Sequence, residues 1–355
     1  MSAAAPAVIV APPRAYLGIR RPRLSTCTLA VHRLASSGLS AETRPAKLAG
    51  MKAELGSRPF RGSQAIADGR VTMSQLRGPR FRRILHDVYI AASAPDSQRL
   101  RIQAATLRLP PDAVVTGRSA AHLWGAELGS LGDPVEIISA TRGRSSTAIR
   151  ARFGSIAGDE VVDRFGVRVP TPVHTAWELA RTLPVLDAVA WIDALAAKCQ
   201  LDTSQLVGHA DRHPGTWRFW TALSTLELCD PRAESPPESM VRAGLITRGV
   251  VPAPTPQFVI RHNGVFVARV DLAWEEIRLA LEYDGQWHGH PGQLSHDRER
   301  LRRINAAGWY VIHVTRNDLR DLDGLAVMLK DLIRSRFLLF GAGRDPLSDL
   351  SSSED

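Results

Sequence analysis

The chain is 355 residues long, enough for two or three domains, and 44% of it is apolar, enough for real cores. Its 45 basic residues outnumber 36 acidic ones for a net charge of +9, which excludes an acidic solvating protein and makes a polyanionic partner worth testing. A mean hydropathy of −0.11, with no run of about 18 apolar residues, excludes a membrane-embedded bundle.

The positive charge is an N-terminal property. Residues 1–49 carry seven bases and one acid, and residues 51–90 carry eight bases and three acids, so the remaining chain is slightly acidic. Only four of the 45 basic residues are lysine, the pattern that GC-rich coding produces, so arginine content alone is poor evidence for nucleic-acid binding. Cys27, Cys199 and Cys229 have neither paired spacing nor an even count, which argues against a disulfide framework or a cysteine zinc site and for a reducing cytoplasm. Residues 1–50 mix Ala, Pro, Ser and Arg without periodicity. Their acid-poor composition superficially matches a transit peptide, but Met51 opens a segment that reads as a domain start. Residues 1–50 are therefore expected to be a disordered or spurious extension.

Residues 51–95 hold two short helices, Ser63–Asp68 and Met73–Arg77, the second capped by Thr72 and stopped by Gly78-Pro79. Two strand-like pieces follow, Phe81–Leu85 and Val88–Ile90, joined at His86-Asp87. Two helices and a basic hairpin describe a winged helix-turn-helix, whose second helix would enter a major groove while Arg77, Arg82 and Arg83 meet phosphates. The alternative is a small basic scaffold whose arginines are merely solvated.

Residues 96–229 read as a mixed α+β connecting domain. Helices are expected at 98–109, 120–128, 174–183 and 185–197, with strands at 135–139 and 167–169 and Trp124, Trp177 and Trp191 in the core. Nothing in this stretch converges into a catalytic constellation on sequence grounds. A linker, Asp230–Pro237, then opens the last domain, residues 230–340. Its expected order is helix (237–247), three strands (257–262, 266–273, 277–284), helix (295–307), strand (309–315) and helix (317–336). Asn263-Gly264 marks the turn between the first two strands, and short strands flanked by helices argue for an α/β sandwich. Residues 341–355 read as a frayed polar tail.

The chemistry-bearing residues cluster in that last domain. Asp271 ends one expected strand, and Glu282 and Asp284 lie near the end of its antiparallel neighbour. Carboxylates crowded at one sheet end repel one another unless a divalent cation sits among them, and hard oxygen ligands select Mg²⁺ or Mn²⁺. His288 follows in the loop after Gly285, where an imidazole suits proton transfer at neutral pH. Glu238 has two readings, a further acid of the site or the last member of a Ser235-x-x-Glu238 capping box. Arg300, on the helix after the loop, could reach phosphate or be solvated surface, and Trp287 could stack on a base or pack in the core.

Two resemblances rest on these residues. The segment 51–95 resembles the small N-terminal domain of AbiEi-type antitoxins, which are transcriptional regulators of toxin–antitoxin systems. Residues 231–336 resemble the very-short-patch-repair-type endonuclease domain of the PD-(D/E)xK restriction-endonuclease-like superfamily. That likeness runs through Ser235-Pro236-Pro237-Glu238, Asp271, Glu282-Tyr283-Asp284-Gly285, Trp287-His288-Gly289-His290, Asp297/Arg300 and Gly308-Trp309. It implies Asp271 and Glu282 as metal ligands, with His288 as catalytic histidine and Glu238 completing the site. The superfamily's lysine is replaced by Asp284, and His313 stands where relatives commonly have Arg. Together the expectations are an α+β multidomain, DNA-binding protein with an Mg²⁺-dependent endonuclease-like domain. It would act in a toxin–antitoxin or phage-defence context and meet a partner from that system. The alternative is an AbiEi-like regulator whose nuclease fold is catalytically inert.

Overall fold

The computed structural model describes residues 58–141, 145–285 and 293–340, the side chains of the last segment from His296 onward. The expectations for residues 1–50 and 341–355, and for Trp287, His288 and His290, lie outside the described residues. The chain is mixed α+β, with four small sheets among the helices of the described residues.

The first unit runs β1 (Phe60–Arg61), α1 (Gly62–Ala67), α2 (Met73–Arg77), β2 (Phe81–Leu85) and β3 (Val88–Ala91), with sheet order β1-β3-β2. The two helices and hairpin stand where the sequence places them, and the short strand β1 is an addition. Thr72 caps α2 through a reciprocal box with Gln75, and Asp87 makes the hairpin corner at φ 62°. Ala65, Val71, Leu76 and Phe81 form its small core.

The middle residues contain α3 (Gln98–Thr106), β4 (Val114–Val115), α4 (Gly117–Leu123), β5 (Val135–Ser139), β6 (Ile149–Phe153), β7 (Val161–Arg164) and β8 (Val167–Pro170). Four helices follow: α5 (Pro172–Thr182), α6 (Val185–Cys199), α7 (Thr203–Ala210) and α8 (Phe219–Glu227). Helix α4 starts earlier than expected and stops at Leu123, because Gly125 turns the chain at φ 103°. Strands β4, β6 and β7 and helices α7 and α8 are additions to the elements expected from the sequence. Trp177 and Trp191 are buried in the helical core, and Trp124 packs against it. Among the described residues Cys199 and Cys229 are free thiols.

The C-terminal residues give α9 (Pro236–Thr247), β9 (Thr255–His262), β10 (Val265–Trp274), β11 (Leu279–Tyr283), α10 (Gln293–Ala306), β12 (Tyr310–Val314), α11 (Arg316–Arg320) and α12 (Leu322–Phe340). The sheet order is β12-β11-β10-β9, antiparallel except for β11 and β12, which run parallel on either side of α10. Asn263 (φ 51°) and Gly264 (φ 80°) make the β9–β10 turn. Val241, Leu245, Leu272, Leu281, Leu329 and Ile333 bury one face of the sheet beneath α9 and α12. Ala273, Ala280, Ile304 and Trp309 bury the other beneath α10.

The segment expected to be a linker is pinned. The Asp230 N–H donates to Asp193 Oδ1 at 2.7 Å, and Arg242 of α9 donates to Asp193 Oδ2 at 2.8 Å. Helix α9 also serves two cores, since Ala243 packs with the α5–α8 helices while Val241 and Leu245 pack under the sheet. Among the described residues no helix is long and apolar enough to cross a membrane.

Candidate functional site

Asp271 lies within β10, three residues before its end, rather than at the strand terminus that the sequence suggested. Leu272 pairs with Leu281 and Ala273 with Ala280, so the next pair along is Asp271 opposite Glu282, on the face covered by α10. Asp271 Oδ2 accepts the Tyr283 N–H at 2.8 Å, in the position of a ladder bond. Burial above all, and then the neighbouring Glu238 and Glu282 carboxylates, push the Asp271 pKa up to about 6 against the Tyr283 N–H and Arg300.

The other acids are better satisfied. Arg300 reaches down from α10 and donates to both Glu282 oxygens, Nη1 to Oε2 at 2.9 Å and Nη2 to Oε1, and Nη2 also donates to the Arg269 carbonyl at 2.8 Å. It points into the acid cluster, so the expectation of a phosphate-facing Arg300 does not match its placement. Glu238 accepts from Ser235 Oγ at 2.6 Å, from the Glu234 N–H at 3.0 Å and from Gln257 Nε2 at 2.7 Å. Its place at the start of α9 thus serves the cap, and it also adds its charge to that of Asp271. Gln257, left-handed at φ 52°, lies in β9 between Pro256 and Phe258, the partners of Leu272 and Val270, and so faces Asp271 across the ladder. Asp284 is exposed just past β11, its N–H on the Val314 carbonyl at 2.7 Å. The expected crowd of three strand carboxylates is therefore two, Asp271 and Glu282, with Glu238 coming from α9 instead of Asp284. Among the described residues these acids do not close into three ligand atoms within 4.8 Å of one another.

In the N-terminal unit, Arg77 and Arg83 are exposed. Arg82 is turned along the protein, donating to the Ala94 carbonyl at 3.2 Å with Asp96 at 3.8 Å.

A second cluster lies in the middle residues, where the sequence suggested no constellation. Glu160, His174, His209 and His213 each offer a ligand atom within 4.8 Å of the others, and together they could hold a metal ion. Glu160 closes a short 3₁₀ turn before β7, His174 sits in the first turn of α5, and His209 and His213 straddle the end of α7. Glu160 Oε2 is 2.8 Å from His174 Nδ1, and Oε1 is 3.0 Å from His213 Nε2 and 3.6 Å from His209 Nε2. His174 Nδ1 and His209 Nε2 are both buried; the first lies within hydrogen-bonding distance of Glu160 Oε2, and the second, 3.6 Å from Oε1, lies beyond it. Burial first, and then His174, hold the His209 pKa down at about 4, and burial likewise lowers His174, so both rings are neutral at pH 7. The available sequence signal was His209-x-x-x-His213, two imidazoles one helical turn apart.

Two proteins of Mycobacterium tuberculosis, from strains CDC 1551 and H37Rv and each named as an uncharacterized protein, are 29% identical to this chain over 251 residues. The match covers 69% of this chain and 89% of each of theirs. No family model matches the chain. No solved structure matches it.

Proposed function

We propose that the chain is a DNA-binding protein whose C-terminal residues hydrolyse phosphodiester bonds with Mg²⁺ or Mn²⁺ at Asp271 and Glu282. The carrying observation is Asp271, a carboxyl set opposite Glu282 and raised toward neutrality by burial and two like charges. Such a group is relieved by a divalent cation, and its hard oxygens suit Mg²⁺. When bound, the cation stabilises charge on the phosphate and acidifies a water molecule. The helix–three strands–helix–strand order supports the restriction-endonuclease-like reading, because it sets both acids on one sheet face beneath α10.

The chain's own residues divide the remaining work. Tyr283 N–H orients Asp271, and Ser235 and Gln257 hold Glu238 beside it. Arg300 holds Glu282 and supplies a cation that position 284 lacks. His288, outside the described residues, is assigned the proton transfer. A toxin–antitoxin or defence role and a partner from that setting belong to the same proposal.

A second reading has its own support: with Arg300 on both Glu282 oxygens and Glu238 fully hydrogen-bonded, the site also suits an inert, AbiEi-like DNA-binding regulator. Supercoiled plasmid separates the two. Nicking that requires Mg²⁺ or Mn²⁺ and disappears in Asp271→Asn and Glu282→Gln supports the enzyme, whereas gel-shift binding without cleavage supports the regulator.

The exposed Arg77 and Arg83 supply the phosphate contacts of the N-terminal unit. Arg77→Ala/Arg83→Ala is expected to flatten the log–log salt dependence of DNA binding by about 2. Arg82→Ala, whose guanidinium is already engaged, is expected to change it less. An unchanged slope in the double variant would remove this unit from the DNA interface.

A further inference from the structure

We propose that Glu160, His174, His209 and His213 bind one zinc-class divalent ion as a four-ligand structural clip. The clip fastens the end of α7 and the turn after it to the first turn of α5 and the Gly158–Glu160 turn. It stands apart from the acid site and does not rest on the nuclease reading.

The donor set decides the class of ion. Three imidazole nitrogens and one carboxylate suit zinc and its first-row neighbours, whereas magnesium asks for oxygens and water. The spacing fits a small tetrahedral ion. At a metal–nitrogen distance of about 2.05 Å, neighbouring ligand atoms stand about 3.4 Å apart. Glu160 Oε1 lies 3.0 and 3.6 Å from His213 and His209 Nε2, on either side of that separation, its Oε2 lies 2.8 Å from His174 Nδ1, and one ligand atom from each of the four residues falls within 4.8 Å of the others.

Hydrogen bonding alone accounts poorly for the cluster. The side chains of His209 and His174 are 1% and 9% exposed, and each aims a nitrogen at the same carboxylate, His209 Nε2 from beyond hydrogen-bonding distance. A buried ring nitrogen left without a partner, as His209 Nε2 is, is costly. A single cation among the four would satisfy it, together with Glu160, His174 and His213.

The backbone N–H of His174 is held by the Thr171 cap at 3.3 Å, which starts α5 at this point, and Trp177 stacks on the His213 ring with centroids 6.0 Å apart and a 26° interplanar angle. Arg212 donates to His209 Nδ1. Ligation through Nε2 needs the proton on Nδ1, so the exposed Arg212 side chain must swing into solvent when the ion binds. Four protein ligands leave no open position, which marks the site as structural rather than catalytic.

The test uses the full chain without an affinity tag, stripped with a chelator and titrated with Zn²⁺ against a chromophoric competitor in excess Mg²⁺. The expected result is one zinc per chain, a rise of several degrees in the unfolding temperature, and an intense visible spectrum for the Co²⁺-substituted protein. His213→Gln removes the most exposed of the three rings and Glu160→Gln the carboxylate, and each is expected to weaken zinc at least about tenfold. Circular dichroism verifies that each variant is folded. Should either fail to fold, the wild-type cobalt spectrum carries the test, because weak octahedral absorption overturns the proposal as surely as strong absorption supports it. Zinc uptake below one per chain, or stoichiometric uptake unchanged in folded variants, overturns it as well.

Discussion

Asp271→Asn is expected to abolish metal-dependent nicking and, above pH 6, to make the chain more stable than the wild type. The sign follows from linkage. The folded carboxyl titrates at about 6 against an ordinary 3.8, so the fold holds this proton more tightly than the unfolded chain does. Its contribution to stability is complete below pH 3.8 and lost as the pH rises through 6. At pH 8 the wild type therefore carries an ionised, half-buried acid beside Glu238 and Glu282. A carboxyl moved from 3.8 to about 6 represents roughly 3 kcal/mol. Solvent screening at this partly open site leaves about 1–2 kcal/mol. Asparagine keeps the acceptor for the Tyr283 N–H and offers its amide to the neighbouring carboxylates. Thermal unfolding at pH 4 and pH 8 checks the result. The gain belongs at pH 8 alone, and a variant equally destabilised at both values would sink the account.

Magnesium extends the same argument. An ion bound at Asp271 and Glu282 favours the ionised carboxyl, so it is expected to raise the unfolding temperature of the wild type more at pH 8 than at pH 5. It should do little for Asp271→Asn. A regulator with an inert site would show neither response. Stability titration thus reports on the site even where cleavage is too slow to see.

What could be read in advance depended on distance along the chain. Asn263-Gly264 has a local conformational demand, and Ser235-Pro236-Pro237-Glu238 has a local cap, so the β9–β10 turn and the start of α9 were legible. Asp271 and Glu282 are eleven positions apart across a tight connection, and strand alternation alone brings them together. Alternation could not tell that Asp284 falls past the end of β11 into solvent, or that Arg300 turns inward to Glu282. The Glu160–His213 cluster was out of reach for another reason. Its ligands come from three elements spread over 53 residues, and their approach depends on helix packing that no local pattern encodes. Strand β6 was hidden because two of its five residues are arginines, one of them bonded to Glu178 and Thr116.

The shared helix α9 gives the second large effect. Arg242→Ala is expected to cost about 3–5 kcal/mol, because it strands Asp193 without its cation. Both side chains are buried, 5% and 1% exposed, and Arg242 also donates to the Leu228 carbonyl at 2.6 Å, so one substitution orphans two acceptors. The loss should depend on pH. Burial already holds Asp193 at about 6 with the guanidinium in place, and without it the pKa moves further up. A raised carboxyl contributes stability below its unfolded value and loses it as the pH rises through the folded one. The variant is therefore expected to fall furthest behind the wild type at pH 8 and to recover part of the deficit near pH 5. Asp193→Asn/Arg242→Met removes both charges, keeps an acceptor for the Asp230 N–H and fills most of the arginine's volume, so it should regain more than half of the loss. Because α9 belongs to the core of the α5–α8 helices and to that of the sheet, Arg242→Ala should loosen both in a single denaturant transition. Two separate transitions in the wild type, with only one moved by the substitution, would show that α9 does not join the cores and that Asp230–Pro237 behaves as the free linker its composition suggests.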